Sequence, residues 1–367
     1  MPSLDIAMPI ALLIVVTVAM LLNKRVEGKL KATVEEKEFK TRDIILLVVL
    51  MSVVISVIAY SSFINPGDIF QNVLLVFFLS SYTLLLFTFS FIFSNLTKIR
   101  AQLLSLGFGV AGLIAGSASL LGSLSDGFSI YRAIAFFGLA AFCFGALIYE
   151  QKKNVLKERW YVAAQPPVLF VLLFVFFNVA YSGAFQVWYP VLMDVFGLTF
   201  AILIILYLGS MFTWKTVGLF AVLLTIMDII LVIGTGTMVA AASKFTGLGL
   251  PVLVYLPNFP LIPASPGYIN FFGFAPRGLG LGDFFFAGIL AVQTFKRFGK
   301  KTAFISVFAM VLAFGIWEAF LPEILTGLNA LIGRQIGGFP GTLMIISGWL
   351  PIIAWKLLAS RKKAIKE

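Results

Sequence analysis

Histidine is missing from the 367-residue chain, and its absence removes several chemistries at once. A hydrolase built on a Ser/His pair, an HExxH metalloprotease and a histidine proton relay each need an imidazole as base or ligand. Cysteine is nearly absent as well. The single Cys143 rules out an intramolecular disulfide, and inside an apolar run it reads as a small packing residue. Charge is scarce: 12% of residues are charged and 60% hydrophobic, with a mean hydropathy of +1.04, where soluble domains run about 25% charged and about 45–50% apolar. No polar tract long enough for a water-soluble domain interrupts the apolar runs. The chain reads as an all-α polytopic membrane protein whose solvent is the lipid bilayer. Its net charge of +11 does not argue for nucleic acid as a partner, because the basic residues fall in short clusters between apolar segments instead of lining an aqueous face.

What is present is a succession of apolar stretches near the roughly 20 residues needed to cross a bilayer. Eleven transmembrane segments are expected, at about 6–22, 43–61, 70–94, 101–122, 130–149, 166–186, 189–213, 216–236, 280–295, 302–322 and 338–355. The first has no preceding positive charge and is followed by Lys24 and Arg25, so it reads as a span and not as a cleavable signal peptide. Lys and Arg are enriched in cytoplasmic loops. With eleven spans, 23 of the 27 basic residues fall on one side, leaving Arg132, Lys244, Arg277 and Arg334 on the other. The N-terminus is then outside and the C-terminus cytoplasmic. Residues 23–42 carry both signs of charge and read as a solvated helix or loop. Residues 237–277 are apolar but broken by Pro251, Pro257, Pro260, Pro263, Pro266 and Pro276, so they are expected at the interface or against protein.

An ionisable group deep in a span is costly and marks function by default. Asp194 and Glu318 lie near span ends, within reach of the interface. Asp228 and Asp283 remain, each 13 residues from a cytoplasmic lysine, Lys215 and Lys296, on spans of opposite direction. At about 1.5 Å per residue both lie about 20 Å from the same face, so they can meet. Two carboxyls within hydrogen-bonding range cannot both ionise, which leaves one as general base and one as general acid. Together they can add water to a peptide carbonyl with no histidine, metal or cofactor. Gly280 and Gly282 leave space beside Asp283 for a close backbone approach. The same pair could instead serve a proton- or cation-coupled transporter or channel.

The segment "GLGDFFFAG" at 280–288 resembles the GxGD motif of the presenilin and signal peptide peptidase family of intramembrane aspartyl proteases. "MDIILVIGTGTMVAAASKF" at 227–245 is similar to the other half of that active site, and "FPGTLMI" at 339–345 lies where the family has Pro-Ala-Leu. The resemblance covers about residues 190–360. It implies Asp228 and Asp283 as the catalytic aspartates, with Met227, Gly280, Leu281 and Gly282 completing their motifs. It also implies Pro340, Gly341, Thr342 and Leu343 near substrate, and a presenilin-like fold for the C-terminal part. Met227 departs from the family's Tyr, and Gly341-Thr342 from its Ala-Leu. The implied substrates are transmembrane-helix peptides or signal-peptide remnants, with no cofactor. A nine-span family core makes residues 1–65 two additional helices, 66–188 the first part of the bundle, 189–360 the catalytic part and 361–367 a basic tail. The orientation resembles that of signal peptide peptidases. Prepilin peptidases share GxGD and are a second enzymatic reading, although a Lys-containing stretch usually follows their motif.

Just before the GxGD span, "GLPVLVYLPNF" at 249–259 places Val252, Val254 and Tyr255 between two prolines, the composition of a short strand. An exposed edge there could bind an unwound substrate by strand addition, as the resemblance also implies.

Overall fold

A computed structural model describes residues 5–33, 38–64, 68–93, 98–121, 127–152, 159–180, 188–259, 261–263, 271 and 273–364. Its helices are α1 (Ala7–Thr33), α2 (Thr41–Ile64), α3 (Asp68–Phe93), α4 (Lys98–Leu121), α5 (Gly127–Lys152), α6 (Arg159–Ala163), α7 (Gln165–Phe174), α8 (Met193–Gly209), α9 (Trp214–Ile229), α10 (Thr237–Gly247), α11 (Leu281–Ala319), α12 (Leu321–Ile332) and α13 (Gly341–Ala364). Two strands, β1 (Leu253–Pro257) and β2 (Pro276–Gly280), form a small antiparallel sheet. Wider π-turns extend α7 through Ala180 and α9 through Gly234.

Among the described residues, eight helical segments are long and apolar enough to cross a membrane. Leu281–Ala319, at 39 residues, holds two of the eleven expected spans and breaks at Gly299, whose φ of 80° is a left-handed conformation that a side chain resists. Shorter apolar helices cover Phe136–Ile148 and Gln165–Val179. Each expected span thus falls mostly on helix among the described residues, and the protein is an all-α polytopic membrane protein. In hydrocarbon each backbone N–H and C=O must bond internally, which a helix accomplishes within one segment.

The chain divides into two compact units. Gln71–Met193 is one, with α4 and α5 packed together and a buried aromatic group of Phe170, Phe174 and Trp188. The other joins Met1–Phe70 to Asp194–Glu367. In it α11 packs against α13 and α1, while α2 packs against α9 and α10. The two N-terminal helices therefore belong with the aspartate-bearing part and are not a separate attachment to it, a grouping that depends on packing between distant segments. α1 also runs past the bilayer-length stretch into the charged connection, where Glu27 pairs with Lys296 at 2.9 Å.

The proline-broken connection contains more regular structure than its composition suggests. α10 occupies 237–247, and β2, "PRGLG", is a strand despite holding a proline and two glycines. Pairing with β1 supplies what its propensity lacks. Pro260 and Pro266 lie outside the described residues.

Candidate functional site: two carboxyls at converging helix starts

α9 starts at a reciprocal cap. The Thr213 hydroxyl accepts the Thr216 N–H at 3.3 Å, and the Thr216 hydroxyl accepts the Thr213 N–H at 2.8 Å. From there the helix runs to Asp228, its penultimate residue, which is 6% exposed. The following π-turn widens the helix, and Arg334 donates to its carbonyls at Ile233 and, at 2.6 Å, Gly234. Those carbonyls would otherwise lack partners at the helix end.

α11 starts directly from β2, with Gly280 as its extended cap residue. Asp283 is the third residue of the helix and reaches back to the Gly280 N–H, half of a capping box. Its carboxyl and that of Asp228 lie close enough for each charge to act on the other. The two carboxyls that residue counting expected to face each other thus stand near one another on α9 and α11, which pack together.

The third segment closes the site. Thr342 donates its hydroxyl to Asp228 Oδ2 at 2.6 Å and its backbone N–H to the same oxygen at 3.3 Å. Gly341, next to it, lies against Asp283: a Cβ built on it would overlap the carboxyl group. The Gly341-Thr342 step thus touches both aspartates, one through the absence of a side chain and the other through a hydroxyl. Pro340 is buried beside it, and Phe339 stacks on Trp317 with ring centroids 5.1 Å apart. Leu343 is half-buried, and Met227 and Leu281 are buried.

Each carboxyl meets the start of a helix, Asp283 its own and Asp228, near the end of α9, that of α13. The first N–H groups of a helix have no intrahelical partner and carry the positive end of its dipole. Asp283 lies in the first turn of α11, and Asp228 accepts an N–H from the first turn of α13. Such positions reduce the cost of one negative charge away from bulk water. Asp283 is half-buried and Gly282 exposed.

The strand expected at 249–259 is present, but its backbone donors are committed within the protein. The Val252 N–H bonds Leu250 O at 2.8 Å, and Val252 O accepts the Leu281 N–H at 2.9 Å. Tyr255 N–H donates to Asp194 Oδ1 at 2.7 Å. Antiparallel ladders alternate bonded and non-bonded pairs. With Leu281–Val252 and Asn258–Ala275 bonded at the ends, Val254 pairs inward with Leu279, while the backbones of Gly278 and Gly280 turn outward from β2. Gly278 is exposed. The strand edge that leads to Asp283 belongs to β2, and the outer edge of β1 is occupied by Asp194. Tyr255 stands outside the spans, and burial holds its phenol above the usual value even though the Thr246 hydroxyl, at 2.6 Å, pulls the other way.

Glu318 is paired with Arg277. Sequence reasoning placed Asp194 and Glu318 only by depth. Nothing local in the sequence announces their partners, which come from 61 and 41 residues away. Comparison with family models, with curated proteins and with solved structures finds no match for the chain.

Proposed function

We propose that this protein is an intramembrane aspartyl protease that hydrolyses peptide bonds within transmembrane helices. The observation that carries the reading is the meeting of Asp228, Asp283 and the Gly341-Thr342 step, three segments far apart in sequence, around one pair of carboxyls. The charged member takes a proton from water as the water oxygen attacks the scissile carbonyl carbon. The protonated member donates its proton to the carbonyl oxygen, giving a gem-diol, and collapse of the diol expels the amine with a proton returned from the dyad.

A peptide bond inside a helix has its carbonyl engaged, so the substrate must unwind. The outward edge of β2 supports strand addition there, with Gly278 offering its backbone groups and the added chain leading to Asp283. The clustering of basic residues supports a cell-membrane protein with its N-terminus outside and C-terminus cytoplasmic.

Incubation of the purified protein with a single-span peptide in detergent tests the activity. Cleavage blocked by a transition-state mimic of aspartyl proteases is expected; solute uptake into proteoliposomes without cleavage would instead establish transport. Single cysteines at residues 25–33 or 296–301, with Cys143 replaced, should label only from the cytoplasmic side, and labelling from outside reverses the orientation.

A further inference from the structure

An aspartyl dyad works only if its two members hold different protonation states, and nothing in a bare pair of identical side chains decides which is which. Here the environments differ. Asp228 Oδ2 accepts two bonds from one residue, the Thr342 hydroxyl at 2.6 Å and its N–H at 3.3 Å. Asp283 accepts the backbone N–H of Gly280 and meets no side chain at Gly341. A hydroxyl donated at 2.6 Å to a carboxylate oxygen has the length of a charge-assisted bond, stronger toward an anion than toward a neutral acid. Thr342 is 4% exposed, so water does not compete freely for that hydroxyl.

We propose that Thr342 is a positioning residue that assigns the two roles: its hydroxyl fixes Asp228 as the anionic, water-activating member and leaves the shared proton on Asp283. The inference rests on the proteolytic reading for its consequence, but the bond it invokes can be measured without proteolysis. Gly341 is part of the same device, because only a residue without Cβ lets α13 come near enough to place Thr342 on Asp228 while Asp283 stays in place.

The surrounding charges leave the assignment to Thr342. The titratable group acting on Asp228 from α11 is Asp283 itself. Among the residues whose side chains are described, the other ionisable groups of the elements packed on α9 and its π-turn are Arg42, Asp43 and Tyr60 of α2, Lys244 of α10, Lys296, Arg297, Lys300, Lys301 and Glu318 of α11, and Lys356 of α13, with Lys215 on α9 itself. Arg334 donates to backbone carbonyls, five and six residues beyond Asp228. Among the described residues the hydrogen bonds to Asp228 come from Thr342.

The test compares Thr342→Val, which removes the hydroxyl and keeps shape and backbone N–H, with Thr342→Ser, which restores it. In the cleavage assay, Thr342→Val should lower kcat by about 10- to 100-fold with KM within about twofold of wild type, and should move the acidic limb of the pH–rate profile up by about one pH unit. Thr342→Ser should recover both. A wild-type pH profile in Thr342→Val, or no recovery in Thr342→Ser, overturns the proposal. The second measurement is infrared titration of the lone Asp228 carboxyl in an Asp283→Asn background, with and without Thr342→Val. Removing the hydroxyl should move the protonation midpoint up by about one pH unit there too. An unchanged midpoint overturns the role of Thr342 whether or not the protein cleaves peptides. A moved midpoint in a protein that cleaves nothing keeps the bond and discards the protease.

Discussion

Among the described residues, the two units of the chain differ in how often polar side chains bond from one element to another. In Gln71–Met193, hydroxyls mostly fold back on their own helix: Ser81 to Phe77 O, Thr83 to Ser80 O, Thr88 to Leu84 O and Ser119 to Ala115 O, with Ser105 to Cys143 O reaching between helices. In the unit that holds the aspartates, hydroxyls such as Ser52, Thr199 and Ser306 also bond within their own helix, but further polar groups join different elements. Thr342 meets Asp228, Asp194 meets Tyr255, Gln293 donates to Gly209 O and Phe212 O, Trp349 to Thr294, Trp317 to Ser347, and Arg277 to Glu318. Half of the apolar window in the Asp228 span is buried, against 22% of the Phe70–Phe93 window.

The difference has a physical reason. Between helices in lipid the hydrophobic effect gives little attraction, since lipid tails are as apolar as leucine. A segment that only has to stay in the membrane can satisfy its hydroxyls locally and pack with aromatic rings. A site that must hold two carboxyls from separate helices at one geometry needs bonds that specify register, and those bonds cross from element to element.

The largest break in this comparison is functional. Asp228→Asn and Asp283→Asn should each lower cleavage by at least about a thousandfold, because each removes one member of the acid–base pair. Both should still insert and give wild-type thermal unfolding within a few degrees. Substantial proteolysis in either variant sinks the dyad.

Next is geometry. Gly341→Ala places a methyl on the Asp283 carboxyl and should cost about 100-fold in kcat, the order expected when reacting groups are displaced by about 1 Å. Activity close to wild type would mean that α13 can withdraw without affecting the dyad.

Stability separates the units further. Arg277→Leu leaves Glu318, with 11% of its side chain exposed, without its ionic partner. A loss of about 3 kcal/mol is expected by denaturant or thermal unfolding in detergent. Gln293→Leu removes two bonds to carbonyls from a residue 2% exposed and should cost about 1–2 kcal/mol. At the small end, Ser119→Ala in the other unit deletes only a bond within its own helix, and a change under about 0.5 kcal/mol is expected. A loss at Ser119 equal to that at Gln293 would erase the contrast.

The helical, membrane-spanning character of the chain and the nearness of Asp228 and Asp283 were legible from residue order alone. Hydropathy over about 20 residues and a fixed rise per residue are local properties, and lipid leaves the backbone no alternative to internal bonding. The short strand in 249–259 was legible for the same kind of reason, through its β-branched residues and flanking prolines. Its partner was not. "PRGLG" has no strand propensity, and only antiparallel pairing makes β2 and turns the Gly278 backbone outward from β1. The grouping of the N-terminal helices with the aspartate helices likewise arises from contacts between distant segments. Thr342 shows the limit most clearly. In the sequence it is a departure from a motif, while in the folded chain it lies 114 residues from Asp228 and donates to its carboxyl. A bond across that separation is decided by how α13 packs beside α9 and α11, because the energy of a single hydrogen bond is small until packing has brought its ends together.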